Sequence, residues 1–372
     1  MAETRQRSQA ELEELLEEAR KLRGNSLWSD AMRRFRRNRV AFASFWFLVL
    51  LSVVSFLAPL LPLASPHQPH LDRNYAPPGF STEEPWSEDQ YVGLDDMNAV
   101  TRWMIHARAS IFGDFQLGPW MGRDASGRCL MSRIVWGGRM SLLVGLAATL
   151  VSLLIGVSYG ALSGYLGGRA DNLMMRIVDM LYAIPFIFVV IFLITVIRER
   201  KDVLDAYGLD RVTAFFIVIG AIYWLTMARV VRGQVLSVKH REFVEAAQAQ
   251  GASTFRILRH HIVPNVFSVV LVYLTLTIPR VMLFEAFLSF LGLGVEPPDV
   301  SWGMLAADGM GAINGLEVYW WFVLFPGLAL GLTLLALNFL GDGLRDALDP
   351  RLAQISGKAP VAGAGGIIEE TS

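Results

Sequence analysis

Glu245, Ala246, Ala247 and Gly251 sit at helical spacing in a charged segment held between two strongly apolar runs. A carboxylate on a short helix offers a specific ion pair to a basic group on another molecule. The neighbouring alanines leave a low surface for close approach. Gly251 ends the helix-forming run and permits a tight turn. Ser253 can cap a second short helix carrying Phe255, Ile257 and Leu258, and Pro264 suits the first turn of the apolar run that follows. The chemistry this pattern predicts is docking, not bond-making. On spacing alone, a loop that only packs on its own spans is the alternative.

The rest of the chain offers no constellation for catalysis. It has no G-x-x-x-x-G-K-[ST] phosphate loop, and Gly122 with Gly127 does not supply one. Asp124, Ser126 and Arg128 read as turn and loop packing, not as a nucleophilic triad. The six histidines form no clear metal site. His67 and His70 could hold a metal only weakly, and His260 and His261 read as the end of the second short helix, where positive character is favoured. The single cysteine, Cys129, excludes an intrachain disulfide and a cysteine-based metal cluster. The expectation is a chain that is not an enzyme and binds no cofactor or metal.

The elements that must position this loop are membrane spans. Of the 372 residues, 53% are hydrophobic and 18% charged, and the apolar residues cluster in runs of spanning length. Six spans are predicted, at Val40–Leu60, Ser141–Tyr165, Asp179–Ile197, Thr213–Arg229, Val266–Ser289 and Tyr319–Leu340. The first is read as retained, with no cleavage site behind it. Arg33, Arg34, Arg36, Arg37 and Arg39 precede it and place the N-terminus in the cytoplasm by the positive-inside rule. Six crossings return the C-terminus to the same side. The net charge of −1 gives no reason to expect nucleic acid.

The predicted organisation is a cytoplasmic tail over 1–39, a first span over 40–60, an external loop over 61–140, a five-helix core over 141–340 with the docking loop at 239–265, and a cytoplasmic tail over 341–372. Leu12, Leu15, Leu16 and Leu22 suggest an amphipathic helix in the first tail, with a solvated, partly frayed helix as the alternative. Asp95–Met131 is expected to form short helices, with Ile105 to Phe115 apolar enough to pack on something. Gly156, Gly160 and Gly164 line one helix face for close packing, and Gly327 with Gly331 should do the same in the sixth span. Pro185, Pro279 and Pro326 can each kink a helix. Arg280 and Glu285 are the ionisable residues deepest in the spans, placed to snorkel or to pair. No internal inverted repeat is evident, which disfavours an ATP-independent secondary transporter.

The loop resembles the coupling segment of permease subunits in ABC importers, with Glu245, Ala246, Ala247, Gly251, Ile262 and Pro264 at the motif's spacing. Glu242–Pro350 as a whole is similar to the dipeptide/oligopeptide permease family, second-subunit type. It includes Phe287-Leu-Ser-Phe-Leu-Gly-Leu-Gly294, Ser301-Trp-Gly303 and the Gly341–Pro350 run. Arg33–Pro62 and Arg123–Arg133 resemble the same family, although Arg123 and Cys129 replace its usual threonine and aspartate. The resemblance implies an all-α integral membrane protein with a type I ABC importer permease core and an extra N-terminal span. It implies a heterodimeric partner permease, two ABC ATPase subunits carrying ATP and Mg, an external solute-binding protein and a bacterial cytoplasmic membrane. Asp342, Arg345 and Asp349 would then fasten the C-terminal tail near an ATPase. The cargo it implies is a peptide or related solute, with a modified peptide or metal chelate as the alternative.

Overall fold

Asn38 separates the first two helices, α1 (Leu27–Arg37) and α2 (Arg39–Phe56), and its side chain caps the second by accepting from the Ala41 amide at 3.2 Å. In this computed structural model, residues 27–79, 85–91, 94, 97–200, 206, 211–313 and 317–348 are described. The leucine-rich segment before Leu27 lies outside them, as does Asp349. The remaining helices are α3 (Ala99–Phe112), α4 (Leu130–Leu166), α5 (Gly168–Ala183), α6 (Phe186–Glu199), α7 (Arg211–Val238), α8 (Glu242–Ala249), α9 (Thr254–Ile257), α10 (Val263–Phe290), α11 (Trp302–Gly311) and α12 (Trp320–Leu348). A single isolated bridge, Arg123 with Cys129, is the only extended pairing among the described residues.

Among the described residues, five helices are long and apolar enough to cross a membrane, and the bent pair α5–α6 makes up to six. The third span differs from expectation. It is two helices bent by 79°, not one continuous Asp179–Ile197 segment. Pro185 removes a backbone donor and pushes Ile184 into an extended conformation (φ −77°, ψ 128°), so the helix stops and restarts. Pro279 and Pro326 lie inside α10 and α12, which run through them. Several helices outrun their apolar cores. α4 begins at Leu130 rather than near Ser141, and α12 continues to Leu348 where a tail was expected from residue 341.

Helices α4 and α7 run parallel and share the tightest seam. A β-carbon on Gly156 would sit 2.6 Å from that of Met227, and one on Gly164 would sit 2.9 Å from that of Val235. Gly220 answers from α7 against Val151. The glycines therefore permit backbone approach that no larger residue allows. Gly327 and Gly331 depart from their expectation, because a β-carbon on either would meet nothing within 4 Å. They face away from the rest of the chain. At the far end of the bundle, Gly138 of α4 packs on Ser55 of α2. The start of α4 and the end of α2 thus lie together, opposite the loop between α7 and α10.

Candidate functional site

The loop after α7 folds as helix, turn, helix and span. Spacing of three residues puts Val244 and Ala247 on the inner face of α8, where they are buried with Val235, Val238, Ile257 and Ile262. Glu245 and Ala246 occupy the outer face and are exposed. One expectation is corrected here. Ala247 does not share the outer docking surface with Ala246, because the helical period turns it into the core. Gly251 has φ +76°, and two hydrogen bonds close the helix end: Gly251 N donates to Gln248 O at 2.9 Å, and Ala252 N donates to Ala247 O at 3.0 Å. This paired closure is the Schellman arrangement, in which glycine supplies the left-handed residue. A β-carbon at Gly251 would meet nothing within 4 Å, so its role is conformational.

Ser253 caps α9 through Arg256 N at 3.4 Å. A wide π turn, Leu258–Ile262, then joins α9 to α10 without interruption. His260 and His261 therefore do not end a helix as expected; they ride in this turn. Asn265 compensates the widened hydrogen-bond ladder by donating to His261 O at 2.6 Å. Ile262 is fully buried, whereas Pro264 is exposed in the first turn of α10, where its missing donor is harmless. The outer surface also carries Phe255, 70% exposed, and Phe243. These aromatic positions escaped the sequence analysis as docking residues. The only signal was an aromatic in a polar neighbourhood beside Arg256 and Arg259.

The base under the loop is braced by polar contacts. Arg232 of α7 donates twice to the Asp171 carboxylate, at 2.6 Å each, and Ser163 of α4 donates to the same carboxylate at 2.5 Å. Bidentate pairing fixes the geometry of three helices at once. Gln248 of α8 donates to the Tyr165 hydroxyl at 3.3 Å. Asp342 and Arg345 are exposed on the last turns of α12, on a helix rather than a tail. The buried face of those turns, Gly343 and Ala347, packs on Ala41 and Phe35.

The opposite end is built from buried charges. Asp124 accepts from Ser126 N at 2.8 Å, Arg128 N at 2.9 Å and Arg128 Nε at 2.7 Å, and pairs with the Arg133 guanidinium. Asp124 and Arg133 are fully buried. Arg123 is buried too, and its carbonyl accepts from the Trp321 indole at 3.4 Å. Asp124, Ser126 and Arg128 thus close a turn.

Glu285 neither snorkels nor pairs with Arg280. It is fully buried and accepts from the Ser289 and Ser301 hydroxyls at 2.7 and 2.8 Å. Ser301 also caps α11, and Trp302 ties α11 to α4 through Ser141 Oγ (3.0 Å) and Ile134 O (2.8 Å). The Ser301-Trp-Gly303 motif is therefore a clamp between α4, α10 and α11. Beside it lies a cavity of about 680 Å³ lined by Tyr223, Arg280, Phe284, Phe287, Phe290 and Met310, among others.

Residues 156–354 match the family model for the binding-protein-dependent transport system inner membrane component. Residues 26–78 match the N-terminal transmembrane domain of oligopeptide transport permease C. The chain is 44% identical over 328 residues to an oligopeptide transport system permease protein of Escherichia coli K12, covering 88% of this chain and 92% of that one. It is 39% identical over 327 residues to a dipeptide transport system permease protein of Bacillus subtilis, covering 88% and 87%. A chain of the MetNI methionine ABC transporter, solved in inward-facing conformations, aligns with 59% of this chain and 98% of its own length at 19% identity and a TM-score of 0.45.

Proposed function

Because the chain belongs to the binding-protein-dependent transport system inner membrane component family, we propose that it forms half of the pathway of an ATP-driven importer for peptides. A homologous permease subunit supplies the other half as a heterodimer. Two ABC ATPase subunits carry ATP and Mg, and one of them docks on this chain's loop at Glu245, Ala246 and Phe255. An external solute-binding protein delivers cargo. The chain hydrolyses nothing itself. It resides in a bacterial cytoplasmic membrane with both termini in the cytoplasm.

The observation that carries this reading is the two-sided build of the loop. Its underside, Val244, Ala247, Ile257 and Ile262, is locked into the bundle, while Glu245 and Phe255 stand outside with none of the described residues covering them. Gly251 sets the angle between α8 and α9, and the π turn joins α9 to α10 without a break. ATP binding draws the ATPases together and moves the Glu245–His260 segment as a lever. The push enters α10, whose far half lines the 680 Å³ cavity and bears Glu285. Two states of one rigid path link hydrolysis to access. Asp342 and Arg345 add edge contacts to an ATPase. Peptide cargo is supported by the names of both relatives.

Reconstituting the chain with its partner permease, two ATPases and the peptide-loaded binding protein tests the proposal. ATP hydrolysis should rise with the loaded protein and lose that rise in Glu245→Ala. An ATPase that binds and is stimulated equally well with Glu245→Ala and Phe255→Ala would refute the docking assignment.

A further inference from the structure

Helix α3 has three distinct faces. Thr101, Ile105 and Arg108 are buried, with Ile105 packed beside Trp86, Tyr91 and Trp136. Arg102, His106 and Ser110 form a polar side. At about 100° per residue, Trp103, Ala107, Val100, Ile111 and Met104 fall on one contiguous apolar arc of about 100°. Val100, Trp103 and Ile111 on that arc are 61%, 66% and 62% exposed. The arc is not a product of fraying. Asn98 caps the helix through Thr101 N at 2.8 Å, and Arg108 is held over the Trp86 ring at 3.8 Å while donating to Phe115 O at 2.8 Å.

We infer that this arc lies in the lipid interface, in the leaflet opposite the coupling loop. The position of α3 supports that occupant. It packs on the Ala58–Leu60 turn that ends the first span, and Arg139 of α4 donates to Thr101 Oγ at 3.1 Å. It is therefore fixed at the level where two spans leave the apolar layer. The first span exposes Trp46, Leu50 and Val53 and goes on doing so to Phe56 and Leu57, directly before that turn. The exposed apolar surface of the span thus persists up to the turn on which α3 packs. Tryptophan beside a polar flank is the composition that favours headgroup depth; that flank carries Arg102 and His106, the latter on the Glu88 carboxylate at 2.9 Å, and α3 itself contains no acidic residue. Lying flat, the helix would anchor the segment between the first two spans.

Spin labels at Val100→Cys, Trp103→Cys, Ile111→Cys, His106→Cys and Ser110→Cys test this in the full chain, co-purified with its partner subunits in phosphatidylethanolamine/phosphatidylglycerol nanodiscs. Cys129 is buried and stays in place. The ratio of oxygen to nickel-chelate collisions should be several-fold higher at the arc positions than at His106 and Ser110. High nickel access on the arc would place it in water and overturn the inference. Arc positions closed to both reagents would mean that a protein partner covers them, which overturns it equally. Three arc positions guard against one variant failing to fold. The result stands apart from the transport assay, because lipid contact does not depend on cargo or on ATPase docking.

Discussion

The two ends of the molecule use charge in opposite ways. At the coupling loop, the carboxylate of Glu245 points out over an apolar underside, and the Arg232–Asp171 pair braces the helices beneath it. At the far end, Asp124, Arg128 and Arg133 are spent on one another inside the fold. The contrast separates presentation from construction. A charge held outward on a rigid base is available to a partner. A charge buried in a turn fixes the chain's own geometry and is expensive to disturb.

The largest stability effect should therefore come from the far end. Asp124→Ala leaves the buried Arg133 guanidinium with only the more distant Asp308 carboxylate, at 3.7 Å, and should destabilise by about 3 kcal/mol, read as a fall in melting temperature of the purified chain. Ile262→Ala empties the core under the loop and should cost about 2–4 kcal/mol, with weakened coupling as a consequence of lost support.

The far end carries a pH effect of its own. Burial first, and then the nearby Arg133 and Arg128, lower the His67 pKa from 6.5 to about 4. Between those values the unfolded chain binds a proton that the folded chain refuses. The contribution is complete above about pH 6.5 and is lost as pH falls toward 4. His67→Gln should flatten that part of the stability profile; an unchanged profile would show that His67 does not carry it.

Gly251→Ala forces a β-carbon onto a left-handed backbone and should cost about 1 kcal/mol. Gly251→Trp should add a further, functional effect, the separation of ATP hydrolysis from uptake at normal expression. Normal uptake by that variant would remove Gly251 from the coupling assignment. Glu245→Ala should change stability by less than about 0.5 kcal/mol. If its melting point fell as far as that of Asp124→Ala, the distinction between the two ends would fail.

The coupling loop was legible in the sequence because its determinants are local. Cap, glycine turn and helix period all lie within a few residues, so Gly251, Ser253 and Pro264 sit where the pattern put them. The inward turn of Ala247 followed from the same period but needed the position of the core to be read. The spans were legible as apolar runs, yet the polar extension of α4 from Leu130 was not. Arg133 and Arg139 sit on helix that leaves the apolar layer, where hydropathy carries no signal. The clamp at Glu285 was invisible for another reason. Ser301 and Trp302 meet Glu285 and Ser141 only in three dimensions, 16 and 161 residues away along the chain. The glycines of α4 and α12 look alike in sequence, and only the presence of α7 against one set distinguishes them.

The most direct test of the coupling claim is ATP hydrolysis by the reconstituted complex, with and without loaded binding protein, for the unsubstituted chain and Glu245→Ala at matched assembly. Stimulation in the first and its loss in the second, with an unchanged melting point, is the predicted result. Equal stimulation in both would contradict the assignment of Glu245 as the contact through which the ATPase drives the pathway.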